Sequence, residues 1–404
     1  MPTPTDTDST DSDSPDADYT VTPYDVEGDI DYAHLVESFG ADALTDAQVR
    51  AFPVDHPLVR RRIFYAGRDI DAFTAAARAD ETHSLVTGRG PSGPMHLGNV
   101  LPFYFAKAVQ DATGAHVYIP FSDDEKHLLK DQSLESIAGH TRENLRDVLA
   151  VGFDPAKTKV VVDTADADVV YPLAAAFSKA ITQSTVDATY GDPETVGLSF
   201  YPAVQTAHLL LPQLVHGRHA TLVPIAVDQD PHVRVSRDVA AKARYEVNKP
   251  GALLSEFLSS LDGPGKMSSS SDAPSIGLSD DPDTVREKLH QHAYSGGRSS
   301  LEEHREHGGD PSVDVAFQYL RFFFEPDDDR LRDLAAGYEA GDLLSGELKD
   351  AAADRISDFL ERHQERRAAL GDLGDELDAY RLTDGERDAA LSRAGYPMDA
   401  VVRG

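Results

Sequence analysis

The chain contains no cysteine and no tryptophan among its 404 residues. Without cysteine it can form no disulfide, hold no thiolate-bound metal and carry no cysteine nucleophile. Without tryptophan it has no indole fluorescence of its own. It lacks an apolar run of membrane-spanning length and opens on no charged-then-apolar leader, so a cytoplasmic protein with no membrane partner is expected. Positive charge is scarce as well: 38 Lys and Arg stand against 70 Asp and Glu, a formal net charge of −32. A nucleic-acid binder is normally basic, and the charge balance by itself argues against that class. The acids, however, are spread along the whole chain rather than gathered in one tail. Dispersed acidic surface suits a salt-filled cytoplasm, where screening shortens electrostatic reach. The charge is therefore read as a solubility device, and weakly as evidence about partners.

A chain of this length suggests two or three domains with ample core. Residues 1–18 are mostly Ser, Thr, Asp and Pro, and an acidic disordered tail is expected over 1–25. A helical extension is expected over 26–80, from the periodicity of Val26–Thr45 and Leu58–Ala79. Within it, Arg60, Arg61 and Arg62 read as a solvated basic face. From residue 81 to 280, short apolar runs alternate with amphipathic ones. Strands are expected at Ser84–Val86, His116–Phe121, Val160–Val162 and Leu222–Val227. Helices are expected at Val100–Thr113, Leu134–Val151, Leu173–Thr182 and Gln205–His216. This alternation predicts an α/β fold with a doubly wound, mostly parallel sheet, interrupted by an insertion. Residues 281–380 turn helical, with patterns over Asp314–Phe324, Asp327–Ala340 and Gly346–Leu370. The last segment, 381–404, reads as a tail.

The chain is organised around Thr87–Asn99, TGRGPSGPMHLGN. It lies between a strand pattern and a helix pattern. A turn that opens a helix aims unpaired N–H groups at one spot, backed by the positive end of the helix dipole, and such a spot binds phosphate. Gly88, Gly90 and Gly98 would let a ligand approach the backbone, and His96 adds a donor. The spacing matches neither GxGxxG nor the P-loop. Read alone, the stretch is equally well a plain strand-to-helix turn. Two further polar clusters, SDDEK at 122–126 and VDQDPH at 227–232, also follow strands. In doubly wound sheets ligands bind beyond the carboxyl ends of the strands, so clusters sharing one rim predict a pocket. It would combine a phosphate cradle with carboxylates and amides able to hold an amino group. Further on, GPGKMSSSSD places Lys266 ahead of Ser268 and Ser269. That is a flexible linker, or a mobile cation with hydroxyl donors able to wrap phosphates.

Together these residues resemble the class I aminoacyl-tRNA synthetases, whose paired signatures are HLGN-like and KMSSS-like. TGRGPSG…MHLG, DDEKHLLK, PIAVDQDPHVRVSRDVA, KMSSS and HAYSGGRSSLEEHREHGGDPSVDVAFQYLRFF follow one another here as in the archaeal and eukaryotic tryptophanyl-tRNA synthetases. Upstream, HPLVRRRIFYAGRDID is also similar. The resemblance runs from about Val26 to about Arg367, and the acidic composition points to a halophilic archaeon. It implies a Rossmann-like catalytic domain, an α-helical anticodon-binding domain, a homodimer, ATP with Mg²⁺, and tryptophan and tRNA(Trp) as substrates. The catalytic residues it implies are His96, Asn99 and Lys266. ATP would also be met by Gly88, Gly90, Gly98, Met267, Ser268 and Ser269. Glu125, Gln205 and Gln229 match positions that bind the amino acid's α-amino group. Val86 and Pro120 fall where the family has a tyrosine and a glutamine that bond the indole N–H. An unpaired buried N–H costs roughly 1–3 kcal/mol. Either a nearby group such as Tyr118 or Ser122 replaces them, or the chain is a paralogue with altered amino-acid specificity (tyrosine or another) or an inhibitor-resistant spare copy. In the helical region, Arg362, Arg366 and Arg367 are the densest positive spot, read equally as an anticodon contact or as a solvated face. His304, Glu306 and His307 lack a third ligand, and no metal site is assigned to them.

Overall fold

The computed structural model describes residues 19–21, 26–28, 36, 40–129, 132–266 and 274–397. Of the disordered tail expected over 1–25, residues 1–18 and 22–25 lie outside them, as do Met267, Ser268 and Ser269, whereas residues 19–21 form a strand. Among the described residues eleven strands are present: β1 (Tyr19–Val21), β2 (Val26–Gly28), β3 (Asp42–Ala43), β4 (Phe64–Arg68), β5 (His83–Val86), β6 (His116–Phe121), β7 (Thr158–Val162), β8 (Ala220–Ala226), β9 (Gly251–Ser255), β10 (Ser259–Ser260) and β11 (Gly263–Lys266). Seven of them form one sheet in the order β3-β4-β9-β8-β5-β6-β7. β5 pairs in parallel with both β6 and β8, β6 with β7, and β8 with β9. β4 and β3 close one side antiparallel. The strand order reverses between β5 and β8, and this is the switch point at which doubly wound sheets bind ligands.

The parallel strands are buried along their length, as strands covered by helices on both faces must be. One face carries the helix Leu97–Thr113, which buries Leu97, Val100, Leu101, Phe103 and Phe105. Each such side chain removed from water contributes about 1.5–3 kcal/mol before entropy is charged against it. The other face is covered by the helices Ala167–Ser178 and Val196–His216, with Val169, Leu173, Phe177, Tyr201 and Leu210 in a second apolar cluster beside Val86 and Tyr118.

Several expected elements differ. The stretch 26–80 is not helical throughout: its described residues include β2, β3 and β4, and the last two extend the main sheet. Phe64–Arg68 alternates too weakly to announce a strand, because it is half-covered from both sides. β9 was not expected either. Gly251–Ser255 is too short and too apolar to show a period. The arginines 60 and 61 are not a solvated face. Arg61 donates to the carbonyls of Arg321 at 2.8 Å and Glu325 at 2.6 Å, and both arginines bond the Asp328 carboxylate. They tie the amino-terminal segment to the helical region. The carboxyl-terminal segment is not a loose tail. Its helix Asp384–Arg393 packs on Val196–His216 and Ala167–Ser178, with Arg387 on Asp166 and Asp168. The helical region itself follows the expected periodicity, as Val315–Tyr319 with a π-type turn to Phe324, then Asp328–Glu339 and Ser345–Ala369.

Candidate active site

The turn after β5 keeps the sheet's register for several residues. Thr87 N–H donates to the Tyr118 carbonyl at 3.1 Å, Arg89 N–H to Pro120 at 2.9 Å, and Ser122 N–H returns to Arg89 at 3.0 Å. This lock fixes why glycine stands at 88 and 90. A Cβ on Gly88 would lie 2.6 Å from the Pro120 carbonyl oxygen, and one on Gly90 would lie 2.1 Å from Lys126 Cε and 3.0 Å from a Glu125 carboxylate oxygen. TGRG and SDDEK are thus pressed together at the carboxyl ends of β5 and β6.

His96 ends the turn as the N-cap of the helix Leu97–Thr113, with extended backbone. Its N–H donates to Asn99 Oδ1 at 3.2 Å, and Asn99 N–H donates to its carbonyl at 2.9 Å. Gly98 and Asn99 are half-buried and His96 is buried. One N–H expected to await a ligand has a protein partner: Leu97 N–H donates to Ile276 at 3.1 Å, and Leu278 N–H donates to Met95 at 3.1 Å. This pairing decides the layout of the site. Lys266 closes β11, and the chain re-enters at Ile276 bonded to the helix start. The segment Ile276–Leu278 is therefore fastened along Met95–Leu97, while Lys266 ends β11 paired with Ser259, and Met267, Ser268 and Ser269 lie outside the described residues.

The carboxylates at the rim divide by task. Asp123 accepts Thr164 N–H at 3.1 Å, and Asp230 takes a bidentate bond from Arg68 at 2.8 and 3.0 Å. Both are structural. Asp124 accepts the Tyr171 hydroxyl at 2.8 Å and Glu125 N–H at 2.7 Å. Behind it, Asp163 and His208 meet at 2.6 Å, both almost fully buried. Burial first, and the Asp163 charge second, push the Asp124 carboxyl up to about 7. Burial also drives Asp163 well above the carboxylate range and lowers His208 to about 4, so that imidazole is neutral. Glu125 turns its carboxylate toward Gly90 of the turn, paired with Lys126 at 2.6 Å. Arg89 is half-buried nearby, donates to Asn144 Oδ1 at 3.2 Å, and is lowered by desolvation to about 10. Sequence reading did not single out Asp163, His208 or Arg89. Arg89 sits inside the TGRG turn, where the reading rests on the glycines, and nothing in the local sequence of Asp163 or His208 marks them, since only folding brings 163 and 208 beside 124.

Gln229 Nε2 donates to Asp228 at 2.9 Å at the end of β8. Gln205, on the helix Val196–His216, donates to the Tyr201 hydroxyl. Val86 lies in an apolar cluster with Tyr118 and Tyr201. Pro120, on β6, pairs with Val161 of β7 and presents both its carbonyl and its ring to Gly88 of the turn. Tyr118 is turned from the rim, because its hydroxyl lies 3.0 Å from His216 Nε2 at the opposite end of the sheet.

The helical region departs from expectation at its arginines. Arg366 donates to the Tyr104 hydroxyl at 2.7 Å and Arg367 pairs with Asp147 at 2.7 Å, so both clamp this region to the sheet domain. An open cavity of about 770 Å³ lies elsewhere, lined by Gly297, Arg298, Ser299, Glu303 and His307. His304 is buried with Nε2 2.9 Å from the Leu343 carbonyl, so it does not join His307 in a ligand set. No helix among the described residues is long and apolar enough to cross a membrane.

A parallel sheet with its polar clusters at the switch point, a glycine turn opening a helix, and the segment Ile276–Leu278 paired with that helix start define a doubly wound α/β protein. Comparison with known proteins narrows this. The family model for class I tRNA synthetases (W and Y) matches residues 78–361. The tryptophan–tRNA ligase 2 of Halobacterium salinarum is 64% identical over 377 residues, covering 93% of this chain and 98% of that one. The tryptophan–tRNA ligase of Sulfolobus acidocaldarius is 40% identical over 365 residues, 88% of this chain and 94% of that one. A tryptophanyl-tRNA synthetase from Encephalitozoon cuniculi, solved bound to tryptophan, superposes with a TM-score of 0.79 at 33% identity, covering 89% of this chain and 99% of that one. The chain belongs to the class I tRNA synthetases of the tryptophan and tyrosine family.

Proposed function

We propose that this chain is a tryptophan–tRNA ligase. The tryptophan carboxylate attacks the α-phosphorus of ATP, forming the mixed anhydride tryptophanyl-adenylate and releasing pyrophosphate. A hydroxyl of the terminal ribose of tRNA(Trp) then displaces AMP. Such phosphoryl chemistry is mostly positioning and charge stabilisation. The observation that supports the reading is the backbone pairing of Met95 and Leu97 with Leu278 and Ile276, which ties the segment following the KMSSS motif to the HLGN helix start.

In this reading, ATP lies over the turn and helix start. Gly88, Gly90 and Gly98 leave it room, and His96 and Asn99 meet its phosphates. Lys266, with Met267, Ser268 and Ser269, holds the leaving pyrophosphate. Glu125, Gln205 and Gln229 hold the α-amino group, and Val86 and Pro120 wall the side-chain pocket. Among the described residues no three His, Asp or Glu side chains are grouped to hold a metal. Mg²⁺ would therefore arrive on the nucleotide, with phosphate oxygens and water as its ligands, which is its common habit. The cavity around Arg298 offers the helical region a place for an unstacked base, since a guanidinium can both stack and bond. The protein would act in the cytoplasm as a homodimer that spreads one tRNA over both subunits. The aliphatic pair Val86 and Pro120 favours one rival, a paralogue with altered specificity. Amino-acid-dependent exchange of labelled pyrophosphate into ATP, run in molar KCl over all standard amino acids, separates the two. Tryptophan alone should support exchange, and exchange with tyrosine or another amino acid instead would refute the proposal.

A further inference from the structure

If tryptophan is the substrate, its indole N–H needs a buried partner that Val86 and Pro120 cannot supply. Neither side chain carries a polar atom, and the Pro120 carbonyl is engaged by Arg89 N–H at 2.9 Å. Tyr118 does not reach the rim, because its hydroxyl is held by His216. Two other phenols are buried in the same apolar cluster as Val86, and of these Tyr245 donates its hydroxyl to the Ala176 carbonyl at 2.8 Å. Tyr201 is 0% exposed and comes from the helix Val196–His216. Its hydroxyl accepts an N–H of Gln205 and is hydrogen-bonded with Ser122, the residue that opens SDDEK. Its ring stands edge-on to His232 of the VDQDPH helix, with centroids 6.2 Å apart. The hydroxyl thus sits where the elements carrying Ser122, Gln205 and His232 converge. Glu125 is near enough to act on it, and burial holds the phenol neutral. A neutral phenol both donates and accepts.

We propose that Tyr201 determines side-chain specificity: its hydroxyl, supported by Ser122, accepts the ring N–H of the aromatic amino acid. The inference rests on the tryptophan reading above. It assigns the polar contact to the helix opposite β5, facing the wall that Val86 and Pro120 make apolar.

The test pairs a ligand change with a protein change. Tryptophan is compared with 3-benzothienylalanine, which replaces the N–H by sulfur and keeps the shape. The wild-type enzyme should prefer tryptophan by about 10-fold in kcat/KM for pyrophosphate exchange, the size expected when one buried hydrogen bond is lost. Tyr201→Phe should bring that ratio near unity, mainly through KM. Loss of packing, or of the Gln205 contact to the α-amino group, would lower both ligands alike and leave the ratio intact. Ser122→Ala should move the ratio in the same direction by a smaller factor, and it keeps the test open should Tyr201→Phe fold poorly. A wild-type ratio preserved in both variants overturns the assignment while leaving the tryptophan reading in place. Absence of any tryptophan-dependent exchange in the wild type overturns both.

Discussion

At the scale of single residues, chemistry and its support separate. Lys266 is assigned to charge that develops on the leaving pyrophosphate. An interaction made in the transition state and not with the free amino acid lowers the rate constant when removed. Lys266→Ala should therefore slow single-turnover adenylate formation by about 100-fold or more, the usual size for one lost electrostatic contact. Tryptophan affinity, followed by ligand fluorescence in this tryptophan-free chain, should stay within about 2-fold, since no part of that contact exists before ATP reacts. The pair Asp124 and Asp163 supports Glu125 from behind. Asp124 is raised to about 7, by burial first and the Asp163 charge second. An acid raised in the folded state contributes stability that is complete below its unfolded pKa and lost as pH rises through the folded value. Asp163→Asn removes the second acid of this coupled pair, so Asp124 no longer titrates against it and its titration moves toward acid. The thermal midpoint of wild type relative to this variant should then decline between pH 5 and 8. Parallel midpoints over that range would show that the two carboxyls do not titrate together.

At the scale of elements, the turn between β5 and the HLGN helix is stiff where glycine meets backbone and tolerant where it meets a side-chain end. A Cβ at 88 would lie 2.6 Å from the Pro120 oxygen, which β6 cannot move, whereas one at 90 meets Lys126 Cε, which can swing away. Gly88→Ala should cost about 1–3 kcal/mol, as overpacking does, read from the urea midpoint at constant m. Gly90→Ala should keep stability but displace Lys126 from Glu125, and so raise KM for the amino acid. Equal loss of stability in both variants would contradict this division. The arginine clamps act at the same scale. Arg60 and Arg61 at one end, and Arg366 and Arg367 at the other, fasten helices to the sheet domain. A basic cluster read from sequence as a nucleic-acid contact or a solvated face is here a joint between segments.

At the scale of the whole molecule, a net charge of −32 sets the conditions under which the fold holds. At molar salt the screening length is about 3 Å, and at 0.1 M about 10 Å, so dilution lets carboxylates on neighbouring helices repel. The unfolding midpoint should fall when KCl is lowered from molar to 0.1 M, and sedimentation in molar KCl should give the mass of a dimer. A midpoint indifferent to salt, or a monomer throughout, would contradict the respective expectation. Acid should act more steeply than carboxylates alone would predict. Burial holds His56, His208, His216 and His219 at about 4 and His232 at about 3. Between those values and 6.5 the unfolded chain binds more protons, so stability drops as pH falls through that window. A flat midpoint from pH 6.5 to 4 would show these imidazoles to be open to water.

The sequence by itself determined what is written locally. The strand–turn–helix at Thr87–Asn99, the SDDEK and VDQDPH rims, and the helical periods of 314–370 are runs whose spacing and turn chemistry need no distant partner to be read. Their order along the chain was enough to indicate a doubly wound sheet and the family. What only the tertiary structure decided is everything that depends on distant segments meeting. β4 and β9 join the sheet although neither shows a period, because burial from both sides removes the alternation that would mark them. Asp163 reaches His208 across 45 residues of chain, and Leu97 meets Ile276 across a still longer span. The Tyr201 hydroxyl finds Ser122 only once a helix crosses the end of β6. Hydrophobic pattern carries the burial of an element but not the partner that buries it, and a polar side chain's task depends on that partner.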